Sequence, residues 1–231
     1  MHYISESLLL YKKLNKKEGI AQKQIYDVLP ANDAEDIILG GLKSGTWFWN
    51  AQRGADIVNL CLICQILKPR VVFEIGTLTG YSAFHFGLNT SPDARVYTLD
   101  LPKNEIVDPQ MEITFMDRDL TAIHAETERY AFDDSAVASK ITRLFGDSAT
   151  FDFSPYHDAV DLFFIDGAHS YDYVRSDTLN ALKCCHPGSV IAWHDFGRVG
   201  GNGVSRWIVE FSKEHDVYTP PSGSLAFMVV K

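Results

Sequence analysis

Five short runs rich in β-branched, aliphatic and aromatic residues constrain this chain most: RVVFEI (70–75), ARVYTLD (94–100), KITRLFG (140–146), VDLFFID (160–166) and GSVIAWHD (188–195). Most are separated by segments long enough for a helix. Strands that are apolar on both faces need cover on both faces, so the alternation predicts an α/β fold with a doubly wound, mostly parallel sheet. Near the end, GVSRWIVEFSKEH (203–215) reads as a helix, followed by DVYT and, across the turn-forming PPSG (220–223), SLAFMVVK. Only that last connection is short enough for a hairpin, which makes the final strand antiparallel and brings the expected number of strands to seven.

Ahead of the sheet, AQRGADIVNLCLICQILKP (51–69) has helical spacing of apolar residues and stops at Pro69; residues 1–68 are read as an N-terminal helical extension and 69–231 as the α/β core. With 231 residues, 46% hydrophobic and 22% charged, one domain is expected. The net charge of −9 repels polyanions, so no nucleic-acid partner is expected. No stretch reaches the roughly 20 apolar residues of a membrane helix, and the lysines of MHYISESLLLYKKLNKKEG follow the apolar run rather than precede it, the reverse of a signal peptide. A cytoplasmic protein without a membrane partner is expected. Cys61, Cys64, Cys184 and Cys185 suit buried thiols; the single C-x-x-C has no second pair to complete a zinc site.

The stretch VVFEIGTLTGYS (71–82) is a strand, a turn with two glycines and a helix start. In an open parallel sheet, such a first turn usually receives the cofactor. Gly76 and Gly80 would let the backbone bend and approach a ligand, with the amides of the next helix pointing into the gap. A tight turn or close packing would need glycine equally. Asp100, ending the next strand in YTLD, is placed to accept hydrogen bonds from ribose hydroxyls, and GDS (146–148) ends the strand after that. Two further strand ends carry IDGAHSY and WHDF, which bring Asp166, His169, His194 and Asp195 to one rim. Carboxylates with imidazole suit a divalent cation, which would acidify a bound hydroxyl while an imidazole takes its proton.

A dinucleotide site prefers glycine at the middle position, where this chain has Leu78. E-x-G-x-x-x-G, TLD, GDS, IDGAHSY and WHDF, in this order over about residues 45–231, instead resemble the class I S-adenosylmethionine-dependent methyltransferases, in the O-methyltransferase branch that includes the catechol and macrolide-sugar types. The resemblance implies a Rossmann-like fold and S-adenosylmethionine as cofactor. It assigns Glu74, Gly76, Thr77 and Gly80 to the methionine part, with Tyr81 and Ser82 near its carboxylate. Asp100 and Leu101 fall at the ribose, Gly146, Asp147 and Ser148 at the adenine edge, and Asp166 beside the cofactor as well. It further implies Asp166 and Asp195 as ligands of a divalent cation, magnesium by expectation, and His169 as general base on a small hydroxylated substrate.

The chain departs from the pattern in three places. His194 stands where the macrolide-sugar type has a carboxylate, and is read either as a third ligand or as a satisfied structural histidine. His169 stands where the catechol type has lysine, and Phe196 where it has asparagine. An NAD(P)-dependent oxidoreductase and a cofactor-binding protein without transferase activity are the alternative functions, and a homo-oligomer is compatible with the sequence. Segment 102–139 is expected to contribute helix and a substrate cover. Trp47, Phe48, Trp49 and Arg53 are read as an anchor in the core or at a subunit contact, or as a lid, and the glycine-rich GRVGGNG (197–203) as a moving loop.

Overall fold

The computed structural model describes residues 19–29, 36–40, 51–102, 108–114, 117–118, 128–198 and 202–231. Its strands are β1 (Ala21–Gln22), β2 (Val71–Ile75), β3 (Arg95–Asp100), β4 (Ile141–Phe145), β5 (Val160–Ile165), β6 (Cys185–Trp193), β7 (Tyr218–Thr219) and β8 (Ala226–Val229). Its helices are α1 (Ile25–Val28), α2 (Ala51–Leu67), α3 (Tyr81–Leu88), α4 (Tyr171–Cys184) and α5 (Asn202–Phe211). They form one sheet of order β1-β7-β8-β6-β5-β2-β3-β4. The expectation of seven strands is corrected to eight. The added strand, β1, is two residues paired with β7, too short to carry a readable period.

Strand β8 is antiparallel to both β6 and β7, as the short PPSG connection requires, while every other pairing is parallel. The chain runs outward from β2 through β3 to β4, then returns to place β5 on the other side of β2. That reversal opens a crevice beyond the carboxyl ends of β2 and β5, where ligands of such sheets settle.

Two hydrophobic layers explain why the strands read as unbroken apolar runs. Phe73, Phe163, Ile165, Ile191 and Trp193 face α4 and α5, in one cluster with Val174, Ala181, Trp207 and Ile208. Their neighbours Val72, Leu162, Phe164, Val190 and Ala192 face α2 and α3, in a second cluster with Leu60, Ile63 and Phe86. Successive side chains point to opposite faces, so each strand buries both. Cys61 and Cys64 belong to the second layer and Cys184 and Cys185 to the first, all four free and buried. The buried indoles of Trp193 and Trp207 each donate to Thr178 Oγ1 at 2.9 Å, which satisfies their polar atoms inside the first layer.

No helix among the described residues is long and apolar enough to cross a membrane. Trp47, Phe48 and Trp49, the side chain of Arg53 and most of the glycine-rich loop after Arg198 lie outside the described residues, as do parts of segment 102–139.

Candidate active site

The turn after β2 has the bend that its glycines suggested, for a different reason. Gly76 (φ 101°) and Gly80 (φ 74°) both lie in the left-handed region. A Cβ on Gly76 would sit 2.1 Å from the backbone oxygen of Asp166, and one on Gly80 2.4 Å from the Phe132 ring. At their Cβ positions these glycines admit neighbouring protein. This contact locks the end of β2 against the end of β5 and fixes the width of the crevice.

Beneath the turn, Glu74 is 1% exposed. It accepts from Thr98 Oγ1 at 2.6 Å, and Thr98 in turn lies 2.7 Å from Thr77 Oγ1. Burial holds the Glu74 carboxyl well above the usual carboxylate range, with Thr98 opposing that rise. Asp100, at the end of β3, accepts from the Leu78 amide through Oδ2 and from the Leu101 amide through Oδ1, both at 2.8 Å. Asp147 takes the Tyr173 hydroxyl at 2.7 Å and the Gln110 amide at 3.0 Å on Oδ2, and the Ala149 amide at 2.8 Å on Oδ1. The Gln110 contact docks part of segment 102–139 onto the end of β4.

A single cavity of about 210 Å³ joins these features to the rim. Of the expected cofactor residues, Gly76, Thr77, Tyr81, Ser82, Asp100, Leu101, Gly146, Asp147 and Ser148 all line it. Asp166, His169, His194 and Asp195 line it as well. Glu74 and Gly80 do not line it, being turned inward behind the turn. Glu74 reaches the cavity only through Thr98 and Thr77.

The rim is a web of ion pairs. His169, 3% exposed, places Nδ1 at 2.6 Å from Asp117 Oδ1 and Nε2 at 2.8 Å from Asp195 Oδ2. Its own amide also donates to Asp117, at 3.0 Å. A carboxylate only accepts, so both ring nitrogens carry protons. Burial alone would lower the His169 pKa, but the hydrogen bonds and charges of Asp117 and Asp195 outweigh it and lift the value to about 9. His194 places Nδ1 at 2.9 Å from Asp166 and 3.2 Å from Asp195, and Nε2 at 3.2 Å from Asp56. It too is a donor at both ends, held charged by Asp166 and Asp195 against the opposing effect of burial. The Arg198 guanidinium pairs with Asp195 Oδ1. Asp195 itself is pushed well below the carboxylate range, the two imidazoles overcoming the desolvation that would raise it.

One ligand atom from each of Asp166, His169 and Asp195 lies within 4.8 Å of the others, close enough to surround an ion. The chemistry of these donors does not fit one as it stands. The His169 Nε2 is already engaged by Asp195, Asp195 is shared by His169, His194 and Arg198, and Phe196 is 1% exposed in the core. Magnesium favours a set of oxygen ligands.

Three residues of this web were missed in the sequence. Asp117 lies in the segment without periodicity and gives no signal. Asp56, 2% exposed, also accepts from the Ser224 amide at 2.6 Å and the Leu225 amide at 3.1 Å. A lone acid in the apolar run ADIVNLCLICQIL could have marked it. Arg198 follows Asp195 by three residues inside the glycine-rich loop.

A family model described as a methyltransferase domain matches residues 73–196, just over half of the chain. No curated protein sequence matches. Among solved structures, the chain resembles an O-methyltransferase from Bacillus cereus in complex with SAH, with 21% identity, a TM-score of 0.55, and 77% of this chain and 81% of that one covered. It also resembles the O-methyltransferase TomG from Streptomyces achromogenes, involved in tomaymycin synthesis and in complex with SAM, with 18% identity, a TM-score of 0.54, and coverage of 79% and 82%. A third is the SAH-bound methyltransferase PaMTH1 from Podospora anserina, with 15% identity, a TM-score of 0.54, and coverage of 76% and 78%. At these identities the likeness speaks for the fold.

Proposed function

The chain belongs to the methyltransferase-domain family, and we propose that it is an S-adenosylmethionine-dependent O-methyltransferase, carried by one domain and acting on a hydroxyl of a small molecule. The observation that carries this reading is the continuity of the cavity. One space is lined by Asp147, Asp100, the Gly76–Leu78 turn and the imidazole and carboxylate rim, so donor and acceptor can meet within it. The bound SAM and SAH of the similar structures support the choice of cofactor. Leu78, with its amide on Asp100, occupies the place where a dinucleotide pyrophosphate would need glycine, which disfavours the oxidoreductase reading.

The cofactor supplies a sulfonium-bound methyl group, whose bonding electrons remain on sulfur when the acceptor oxygen takes the carbon. In this reading Asp100 holds the ribose hydroxyls, while the Gly76–Ser82 turn and the start of α3 hold the amino-acid end. Much of the rate enhancement then comes from orientation, which contributes roughly 7–11 kcal/mol at best. His169 is the general base, and it starts as a donor to Asp195. A substrate hydroxyl that displaces Asp195 from Nε2 removes one of the two charges raising the imidazole pKa. The Nε2 proton then passes to solvent water, and Nε2 accepts the proton of the hydroxyl, while Asp117 keeps Nδ1–H in place.

Calorimetry with S-adenosylhomocysteine tests the reading, with micromolar binding expected. No binding at millimolar concentration, or NADH binding in its place, would end it.

A further inference from the structure

We propose that Arg198 is the resident cation of this centre, and that its acidic rim works without a divalent metal ion. The clustered carboxylates Asp56, Asp117, Asp166 and Asp195 would ordinarily invite one, because like charges at these distances repel strongly in a partly desolvated site. Here each carboxylate already faces a protein cation. Asp117 and Asp195 hold the two nitrogens of His169, Asp56 and Asp166 hold those of His194, and Asp195 also takes Arg198. Asp195, which any ion at this rim would need, is thus already shared by His169, His194 and Arg198.

Entry of an ion at Asp166, His169 and Asp195 requires three losses. The 2.8 Å contact of His169 Nε2 with Asp195 must open, the His194–Asp166 bond of 2.9 Å must break, and Arg198 must release Asp195. The residue after Asp195 cannot compensate with a ligand atom, since Phe196 is apolar and buried. The guanidinium supplies what a metal would supply to Asp195, namely a fixed positive charge that orients the carboxylate. Arg198 does not itself line the cavity, so its part is positioning.

The proposal rests on the transferase reading only where activity is measured, and its main test reads metal binding directly. Mn2+ is titrated into the unaltered protein, into Arg198→Met and into Asp195→Asn at neutral pH, with water-proton relaxation reporting bound ion. The unaltered chain is expected to show no saturable site at millimolar Mn2+, and Arg198→Met to bind at least roughly tenfold more tightly, since Asp195 is freed. Methyl transfer by the unaltered protein is expected to be unchanged in EDTA. Saturable Mn2+ binding by the unaltered chain that disappears in Asp195→Asn overturns the proposal. So does an Arg198→Met protein that folds, as judged by circular dichroism, and binds Mn2+ no better than the parent. If that variant does not fold, the unaltered protein and Asp195→Asn decide alone. Absence of S-adenosylhomocysteine binding would remove the transferase reading while leaving the Mn2+ result intact, so the two failures are distinguishable.

Discussion

Asp117 grips His169 twice, through the imidazole Nδ1 at 2.6 Å and the backbone amide at 3.0 Å, and does so from a segment 52 residues earlier in the chain. The ring is thereby fixed in position and in protonation. Asp117→Asn keeps the shape but removes the charge, so kcat is expected to fall roughly 10- to 100-fold with little change in affinity for S-adenosylhomocysteine. Equal loss of both would make Asp117 a merely structural residue.

The same pair sets a pH dependence. The His169 pKa is lifted from 6.5 to about 9, so the free protein has to lose a proton before the imidazole can act as a base. The ascending limb of kcat/KM is therefore expected near pH 9, and in Asp117→Asn it should move down by about 1 unit or more. The stability linkage has a definite sign. A raised histidine pKa contributes stability that is fully present below about pH 6.5 and is lost as pH rises through about 9, amounting to about 3 kcal/mol at most. Denaturation at pH 6 and pH 10 checks this second effect.

Asp177 on α4 gives a pH slope of the same direction, from a charged form that the fold destabilises. It is fully buried, and neither of its carboxylate oxygens has a hydrogen-bond partner among the described residues, the Ser148 hydroxyl facing it too loosely to count as one. Burial lifts its pKa to about 7, with the Asp147 charge adding to the rise. The folded chain then binds more protons than the unfolded one, and stability falls as pH rises from about 4 to above 7, by about 4 kcal/mol. Asp177→Asn should raise Tm at pH 8 and leave it nearly unchanged or lowered at pH 4. A variant destabilised equally at both would show that the acid is not strained.

How much of this was legible in the sequence follows from how far each contact reaches. The parallel strands were, because both faces of β2, β5 and β6 are largely buried and filled mostly by apolar side chains. The placement of Asp100, Asp147, Asp166, His169 and Asp195 on one rim was, because each ends a strand or follows one within four residues, and the sheet carries these strand ends to one side. Asp56, Asp117 and Arg198 were not, since they arrive at the rim from a helix, a segment without periodicity and a loop. His194 reaches Asp56 across 138 positions, a separation that no local pattern encodes. The glycines left two readings open. A neighbouring carbonyl and a ligand both forbid a Cβ, and only the structure tells them apart.

Gly76 turns that distinction into an experiment. Its φ of 101° and the Asp166 oxygen, 2.1 Å from where a methyl group would stand, leave alanine without a place, so Gly76→Ala is expected to cost roughly 3 kcal/mol or more in denaturant unfolding. The loss should appear without any cofactor present. If stability were intact and only affinity for S-adenosylhomocysteine fell, the glycine would be serving the ligand after all.

Asp56 offers the sharpest separation of support from chemistry. It binds the Ser224 amide and hydroxyl, the Leu225 amide and His194 Nε2, so one carboxylate ties α2 to the approach of β8 and to the rim. Replacement by alanine leaves those donors buried and unpaired, and breaking a buried pair in this way costs about 3–5 kcal/mol. Asp56→Asn keeps an acceptor for the amides and loses the charge facing His194, so it should recover a good part of that stability. Its turnover should nevertheless stay low, because His194 would then hold Asp166 with one anchor fewer. Unfolding curves and kcat measured on both variants test the argument: parallel recovery of stability and turnover in the asparagine variant would reduce Asp56 to a packing residue, and recovery of stability alone would place its charge in the service of the rim.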